Sequence, residues 1–392
     1  MKYFFKILFA VSLTATLSGH QAQAQSTDVG ITSILSPVGS FCGGLNDVIV
    51  VVSNFGTNDV NSLNIDWSVD NVPQTQLVYL NPLLTGESDT INLGAYNFSS
   101  AANIILSATT SSPNGIQDDD PANDGFVSSG LSTRFSAGTY TIGGAGADYN
   151  NLSAAINALS NYGICGSVVF NINSTIDTVR LSIPAITGTS QSSTITFQSA
   201  ALNADSVKFT APSDPSFGNP NYVLRLDGAD HITFRHVTFE RSGIEPYARV
   251  FELRNTACFN TITNCKLTGS SQNQVANSLA AVVYSSFGTP TNDSNFTFTN
   301  NTVRNGSIGY YMNGLASLNP ETGGIVSNNL FLNQFSRAIA VSNQGSLVIE
   351  GNTISSSSAY TQYTAMELDR SQRNQRVSKN RISGNIDIGI NL

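Results

Sequence analysis

From residue 138 to its last residue, the chain repeats a short pattern of apolar and polar positions. Four copies place an asparagine between two apolar residues, and two earlier copies hold Val237 and Cys265 at the asparagine position. The copies begin at Phe234, Ile262, Phe298, Val326, Ile349 and Val377. Their first apolar positions are 28, 36, 28, 23 and 28 residues apart. Strand-like repeats of this length, with no helices between them, predict a β-solenoid.

The asparagine column indicates how successive coils stack. Coils of a right-handed parallel β-helix lie about 4.8 Å apart, so equivalent residues form ladders along the axis. Asparagine suits a tight bend because it tolerates the left-handed conformation, and its amide donates and accepts along the stack. We therefore predict a structural ladder at Asn301, Asn329, Asn352 and Asn380, with apolar columns filling the interior.

Upstream of the repeats, one segment has helical spacing. Leu152, Ala155, Ile156 and Leu159 follow the i, i+3, i+4, i+7 rule, and either Asn150 or Asn151 is suited to cap the first turn. The pattern predicts one short amphipathic helix ahead of the solenoid.

Residues 28 to about 130 alternate differently, in short strand-like runs separated by turn signals. The clearest runs are Asp47–Val52, Leu63–Val69, Leu77–Leu80 and Asn103–Ala108. Regularly spaced short strands with no helical period predict an antiparallel β-sandwich. The fold class expected is all-β: an Ig-like β-sandwich, then a right-handed parallel β-helix with a short N-terminal capping helix.

The first residues predict export from the cell. Lys2 and Lys6 flank aromatic residues, an apolar stretch runs from Ile7 to Leu17, and Ala22-Gln23-Ala24 matches a signal-peptidase site. We expect cleavage after Ala24 and a secreted or cell-surface bacterial protein. Since no later segment is long and apolar enough to cross a bilayer as a helix, no membrane span is expected in the mature chain.

Charge is scarce and unevenly divided. Of 392 residues, 18 are Lys or Arg and 26 are Asp or Glu, which makes 11% of the chain charged and its net charge −8. The excess acid is concentrated ahead of the repeats: between Gln25 and Ser136, 11 residues are acidic and Arg134 is the one basic residue. An acidic chain without basic clusters is not expected to bind nucleic acid.

The first region resembles the CARDB family of Ig-like sandwiches found in bacterial surface proteins. The residues that carry the resemblance are Val52–Thr57, the strand around Trp67, and Asn114-Gly115 leading into Asp118–Asp124. The second region, residues 138–392, resembles pectin-lyase-like right-handed β-helix proteins, from its entry at Tyr140–Ile142 and Asp148-Tyr149 through Gly163–Phe170.

The two resemblances imply a domain organisation. A signal peptide occupies residues 1–24, a CARDB-like sandwich residues 25–135, and a β-helix residues 136–392, with the helix capping the N-terminal end of the β-helix. The order resembles large surface proteins exported by the type IX route. Because the chain ends at Leu392 inside a coil, we expect the sequence to be truncated at its C-terminus.

An acidic cluster in the last coils is the candidate catalytic site. Glycoside hydrolases need two carboxyl groups about 5–9.5 Å apart. If the coil register holds, Glu367 and Asp387 lie diagonally on adjacent coils, about 7–8 Å apart, with Asp369 nearby. Alternatively, these are solvated residues balanced by neighbouring arginines and a lysine. The paired Asp-Asp and Gly-His-Gly motifs of polygalacturonases are not found.

Two further sets of residues are candidates for a metal site and a disulfide. Asp118, Asp120, Asn123 and Asp124 offer oxygen ligands for Ca²⁺, but Pro121 and Ala122 interrupt EF-hand spacing and Asx-turns are the favoured alternative. Beyond Ca²⁺, no cofactor is expected. Export permits disulfides, and Cys258 with Cys265 is the favoured pair; a buried thiol at Cys265 is the alternative.

Two functions from different classes fit these features. The first is non-catalytic adhesion, in which a β-helix on a sandwich spacer binds polysaccharide, a cell-surface glycan or a protein. The second is a polysaccharide lyase or glycoside hydrolase that acts on an acidic polysaccharide. Sparse, scattered charge favours the first, and the sequence makes no prediction of the oligomeric state.

Overall fold

The computed structural model describes residues 26–99, 102–212, 221–243, 247, 249–271, 276–285, 292–314, 320–371 and 374–392. The predicted signal peptide lies outside these residues. The described chain divides into two compact units. The first contains the described residues up to Val38 together with Asn46–Tyr96 and Asn103–Gly130. The second contains Gly39–Leu45, Asn97–Ala102 and Leu131–Leu392.

The first unit is built of β-strands with alternating burial. One sheet contains Val29–Ser36, Gly44–Asn54 and Ser88–Phe98. The strand Leu63–Val69 buries Leu63, Ile65, Trp67 and Val69 while its other residues face outward. It pairs antiparallel with Ile104–Ser111, Val72–Pro73 and Leu77–Tyr79, and Gly125–Thr133 extends this second sheet. The predicted sandwich fold is confirmed.

The second unit is a parallel β-helix with three sheets that run along its length. Sheet I contains Gly138–Ile142, Val168–Ile172, Ile195–Ser199, Ile232–Arg235, Thr261–Thr263, Thr297–Thr299, Ile325–Ser327, Val348–Glu350 and Arg376–Ser378. Sheet II contains Thr175–Thr178, Val207–Pro212, Thr238–Ser242, Lys266–Thr268, Thr302–Arg304, Leu330–Leu332, Thr353–Ser356 and Arg381–Gly384. Sheet III contains Leu181–Pro184, Leu224–Asp227, Phe251–Arg254, Ala281–Ser285, Ile308–Asn313, Arg337–Ser342, Thr364–Asp369 and Ile388–Asn391.

Successive coils stack in register, and the interior is apolar. In sheet I, Phe170 pairs with Phe197, which pairs with Phe234, and the rings stack with centroids 5.1 and 4.9 Å apart. Each of these rings is fully buried. Two further short strands, Glu321–Thr322 and Gln344–Gly345, pair with each other. The predicted β-solenoid is confirmed.

The turn from sheet I to sheet II carries the asparagine column. Asn301 donates from its backbone N to Asn329 Oδ1 at 2.9 Å, Asn329 to Asn352 Oδ1 at 3.0 Å, and Asn352 to Asn380 Oδ1 at 2.9 Å. The amide nitrogens also donate to main-chain carbonyls, as Asn329 Nδ2 does to Phe298 O at 2.8 Å. The first three side chains are buried, so the ladder lines the inside of the turn.

The left-handed residue of this turn is the one before the ladder asparagine, contrary to the expectation from sequence. Asn300, Asn328 and Lys379 have φ of 58°, 54° and 56°. The bend is thus made by one residue and stabilised by the next, because the ladder side chain has to point inward to reach the neighbouring coil.

The predicted helix is α1 (Leu152–Tyr162), which follows the first strand of sheet I. Asn151 caps it, since its side chain accepts a hydrogen bond from Ala154 N at 2.9 Å, and Gly163 ends it with φ of 73°. Its apolar face, with Leu159 fully buried, joins the same core cluster as the solenoid. The described chain contains no helix long and apolar enough to span a membrane.

The disulfide expected from sequence is wrong. Cys42 and Cys165 are bonded within the second unit, whereas Cys258 and Cys265 are free thiols. The two thiols contact different groups: Cys258 Sγ donates to Asn292 O at 2.9 Å, whereas Cys265 Sγ donates to Thr263 O at 3.3 Å and Phe234 O at 3.6 Å. Cys265 is instead the buried thiol of the alternative, and its backbone N donates to Asn301 Oδ1 at 2.9 Å.

Candidate functional site

A groove follows the turns that lead from sheet II to sheet III in the later coils. We call it the turn groove and define it by Ser271, Asn305, Asn333–Phe335, Ser357–Thr361 and Asn385–Asp387. It consists of two hollows of about 510 and 390 Å³. Because Ser358–Thr361 lines both hollows, they form one continuous surface.

The register of sheet II brings these turns side by side. Thr302 pairs with Leu330, Leu330 with Thr353, and Thr353 with Arg381, so the chain leaves the sheet at equivalent positions in successive coils. Asn305 and Asn333 then take left-handed conformations with φ of 59° and 57°. Turn residues of four coils are therefore stacked along the axis.

An aromatic pair stands at the centre of the turn groove. The rings of Phe335 and Tyr360 have centroids 4.9 Å apart and are tilted by 38°. Ser358 links the two turns, because its hydroxyl donates to Phe335 O at 2.6 Å and accepts from Tyr360 N at 3.1 Å. Aromatic rings held in this way offer apolar faces to a ligand with aliphatic C–H groups.

Amide and hydroxyl groups surround the aromatic pair. Asn333 Oδ1 accepts from Ser357 Oγ at 2.9 Å, while Asn333 Nδ2 has no partner among the described residues. The fully buried Gln334 forms the floor, with Nε2 donating to Val303 O at 3.1 Å and Leu332 O at 3.0 Å. Asp387 is the one side chain with a formal charge among the described residues that line the groove.

A group of charged side chains lies apart from the turn groove, on the outer face of sheet III. Arg225 Nε lies 2.8 Å from Glu252 Oε2, and Arg249 lies 3.8 Å from the other oxygen of that carboxylate. Arg225 stacks over the ring of Tyr222 at 4.0 Å and Arg249 over that of Tyr284 at 4.9 Å. Tyr284 and Tyr311 stack in turn, with centroids 5.6 Å apart.

The structure separates the predicted catalytic carboxylates. Thr364 pairs with Ile388 and Glu367 with Asn391, which sets Asp387 level with Tyr363. Asp387 is thus about 13 Å along the strand from the position opposite Glu367, at about 3.3 Å per residue. The expected diagonal pairing fails because the last strand of sheet III begins later than the sequence repeat suggested.

Each predicted catalytic residue on sheet III has an ion-pair partner. Glu367 Oε2 lies 2.5 Å from Arg337 Nε, and Asp369 Oδ2 lies 3.1 Å from Arg370 Nε. Since Asp227 also contacts Arg254 at 3.8 Å, every described carboxylate on the strands of this face is matched by an arginine.

Two buried carboxyl groups were missed by sequence reasoning. Asp293 and Glu321 lie on adjacent coils, are each about 1% exposed, and are joined by a 3.1 Å hydrogen bond from Asp293 N to Glu321 Oε1. Burial raises the pKa of Asp293 to about 6 and that of Glu321 to about 7. In the next coil, Gln344 pairs with Glu321 and its Nε2 donates to Glu321 Oε2 at 2.6 Å. This glutamine, at the position equivalent to Glu321, is the one sign of the site that the sequence carries.

In the first unit, the candidate Ca²⁺ ligands hold a turn. Asp118 accepts from Val29 N at 2.9 Å and from Asp120 N at 2.8 Å, and Asp120 accepts from Ala122 N at 3.2 Å. Asn123 Nδ2 donates to Asp28 Oδ1 at 2.7 Å. Burial, with the nearby carboxylates of Asp118, Asp28 and Asp120, raises the pKa of Asp124 to about 6.

These contacts use oxygens of Asp118 and Asp120, whereas Asn123 Oδ1 and Asp124 Oδ1 are buried and have no hydrogen-bond partner among the described residues. Within the described residues, no group of three or more His, Cys, Asp or Glu side chains is arranged to hold a metal ion. Asp118 and Asp120 form Asx-turns, as in the favoured alternative, since each accepts from the backbone N two residues further on.

Comparisons with known proteins found solved structures with a similar fold. No protein-family model matches the sequence, and no curated protein matches it significantly. The CARDB domain of the PF1109 protein from Pyrococcus furiosus, solved in complex with di-metal ions, is 16% identical, with 28% of this chain and 89% of that chain covered and a TM-score of 0.24.

Two further solved structures are similar over a larger share of the chain. Pectin methylesterase from Aspergillus niger is 15% identical over 65% of this chain and 90% of that chain, with a TM-score of 0.42. Escherichia coli ybhc is 12% identical over 60% of this chain and 71% of that chain, with a TM-score of 0.36. In fold, the chain is an all-β protein in which a β-sandwich is followed by a parallel β-helix.

Proposed function

We propose that this protein binds polysaccharide without cleaving it, and that the turn groove is the binding surface. The observation that carries the proposal is the Phe335–Tyr360 pair, with centroids 4.9 Å apart, set among asparagine and serine side chains. Sugar rings present apolar C–H faces and hydroxyl groups together. Aromatic faces beside amides and hydroxyls can therefore satisfy both parts of such a ligand.

The charged groups of the β-helix support binding over catalysis. Glycoside hydrolysis requires two carboxyl groups with different pKa values on either side of the scissile bond. The described carboxylates on the strands of sheet III are held by arginines, and Asp387 stands alone in the turn groove. Asp293 and Glu321, whose pKa values are raised, are buried away from solvent.

We also propose that the protein acts outside the cell as an adhesin, as its first 24 residues suggest. N-terminal sequencing of protein recovered from the culture medium or cell surface should begin at Gln25. Recovery from the cytoplasm with an intact N-terminus would contradict this. The type IX route stays a prediction.

A carbohydrate array followed by calorimetry tests the binding function. We expect the wild type to bind at least one polysaccharide class and Phe335→Ala or Tyr360→Ala to weaken binding about 10-fold or more, since each removes an aromatic face worth about 1–3 kcal/mol. Phe259→Ala is the matched control, because this aromatic ring is 52% exposed and lies outside the turn groove.

An assay for new reducing ends and unsaturated products separates binding from the enzymatic alternative. We expect no turnover of any bound polysaccharide. Turnover that disappears in Glu367→Gln or Asp387→Asn would instead establish a polysaccharide lyase or glycoside hydrolase.

A further inference from the structure

The turn groove runs parallel to the axis of the β-helix. Apart from Ser271, its residues come from four successive coils, in the order Asn305, Asn333–Phe335, Ser357–Thr361 and Asn385–Asp387. With about 4.8 Å between coils, the distance from the first turn to the last is about 14 Å. A surface of this length and direction fits a linear ligand whose repeat is similar to the coil spacing.

The lining repeats in the same direction. Asn305 and Asn333 occupy equivalent left-handed positions in neighbouring coils, and Asn305 N donates to Leu332 O at 2.9 Å as Asn333 N does to Ser355 O at 3.0 Å. Phe335 and Tyr360 likewise come from neighbouring coils. Successive units of a linear polymer would thus meet similar groups at successive coils.

The charge of the lining argues against an acidic ligand. No lysine or arginine is among the described residues of the turn groove, and its one charged side chain is the carboxylate of Asp387. An anionic group placed there would lose hydration without gaining a cation and would face a like charge. Arg225 and Arg337 of sheet III are already paired with Glu252 and Glu367. Arg304 of sheet II precedes Asn305 but does not line the turn groove.

We infer that the ligand is an uncharged linear saccharide lying along the β-helix axis, with Asp387 disfavouring polyanions at the C-terminal end of the turn groove. This inference rests on the proposed binding function and adds the chemical class and direction of the ligand. Asparagine amides contact its hydroxyl or N-acetyl groups, and the aromatic pair contacts a sugar face near its middle.

Calorimetry with two matched series of oligosaccharides tests the class of ligand. The neutral series contains gluco-, xylo-, manno- and chito-oligosaccharides, and the acidic series contains oligogalacturonates of the same lengths. We expect binding in at least one neutral series, with affinity rising up to about four rings, one per coil of the groove, at about 4.8 Å per coil. Equal affinity for a monosaccharide and for a saccharide of four rings would contradict binding along the β-helix axis.

Reversal of the charge at Asp387 tests the role of this residue. Asp387→Lys should raise the ratio of acidic to neutral affinity about 10-fold, which corresponds to about 1.4 kcal/mol. Asp369→Lys is the control, since this carboxylate is exposed on sheet III and paired with Arg370, and it should leave the ratio unchanged. Circular dichroism spectra of both variants verify that the β-helix is folded.

The outcomes separate this inference from the proposed function. If neither series nor any polysaccharide binds, the binding function itself fails. If oligogalacturonates bind more tightly than every neutral series and Phe335→Ala abolishes that binding, the binding function stands and the inference fails. If acidic binding is lost in Arg249→Ala but retained in Phe335→Ala, both the assigned groove and the neutral class are wrong.

Discussion

In the turn between sheets I and II, the sequence pattern assigns both the left-handed bend and the ladder hydrogen bonds to one asparagine. In the structure, two successive residues share these roles. The repeat predicts the ladder positions because asparagine recurs beside apolar residues in register. The pattern does not show which way the side chain points, and it therefore misplaces the left-handed residue by one. Asn301, Asn329 and Asn352 are buried, and the residues before them make the bend.

Removal of one ladder side chain should be costly. In Asn329→Ala, Phe298 O loses a donor and Asn301 loses an acceptor for both its backbone N and its Nδ2. Since a buried group left without a partner costs about 1–3 kcal/mol, we expect the free energy of unfolding to fall by about 3–5 kcal/mol.

Urea unfolding followed by far-ultraviolet circular dichroism measures this change. Trp67, the single tryptophan, is in the first unit, so its fluorescence does not report on the β-helix. Ser355→Ala on the outward side of a neighbouring coil is the control, with an expected change below about 0.5 kcal/mol. A similar loss in both variants would contradict the ladder's role.

The buried carboxyl groups make stability depend on pH. With a pKa of about 7 for Glu321 and about 6 for Asp293, the folded protein binds more protons than the unfolded chain between about pH 4.5 and 7. The contribution of these groups is greatest at acidic pH and is lost as pH rises through 7. The carboxylates of Asp230 and Glu252 act on Asp293 in the same direction.

We expect unfolding of the β-helix to become easier by roughly 4 kcal/mol between pH 5 and pH 8 as a result. Glu321→Gln, which carries the uncharged side chain that Gln344 shows in the next coil, should flatten that pH dependence. Glu240→Gln, at a partly exposed ion pair with Lys208, should not. An unchanged slope in Glu321→Gln would refute the assignment.

At the scale of elements, the repeat and the amphipathic pattern are sufficient to predict the three-sided coils, α1 and the strands of the sandwich. They are insufficient where turns differ in length. The last coil shows this, because the delayed start of Ile388–Asn391 moves Asp387 away from Glu367. The turn groove has the same origin: its residues are ordinary turn formers, and only the stacking of unequal turns brings Phe335 beside Tyr360.

Pairing of cysteines is likewise a property of the folded elements. Cys42 and Cys165 are 123 residues apart, so proximity in the sequence gives no sign of their bond. Cys165 N donates to Phe135 O at 2.8 Å, and this hydrogen bond holds in place the segment that carries Cys165.

We expect the double variant Cys42→Ser/Cys165→Ser to lower the free energy of unfolding of the second unit by about 2–5 kcal/mol, because the bond closes a long loop in the unfolded chain. Thiol titration of the denatured, unreduced wild type should find two of the four cysteines reactive. Cys258→Ser serves as the control and should lower that count by one with little loss of stability.

For the whole molecule, the two units differ in charge as well as in fold. The excess of acidic residues belongs to the part before the repeats, whereas strands of the β-helix carry apolar residues inward and mostly threonine, serine and asparagine outward. Low charge is thus a consequence of stacking identical faces, since like charges one coil apart would repel.

Stacking also makes the stability of the β-helix local. In a solenoid each coil contacts mainly its neighbours, so a defect spreads over a short distance. In Asn329→Ala, hydrogen exchange should accelerate in the coils containing Phe298, Phe331 and Ile354. The coils that contain Phe170 and Phe197 should be unchanged. Mass spectrometry of peptides resolves this, and uniform acceleration along the chain would contradict it.

The left-handed position before the ladder provides a record of tolerated substitutions inside one molecule. The coils fill it with His236, Asn264, Asn300, Asn328, Gly351 and Lys379, all with positive φ. Glycine takes this conformation without the strain that a side chain brings, and at residue 351 a Cβ would meet Asn328 Oδ1. Histidine, asparagine and lysine side chains are therefore accommodated at this position in the other coils, whereas the coil of Gly351 has no room for a side chain. A protein engineer can take the substitutions for one coil from the residues that its neighbours already carry, with Gly351 as the exception.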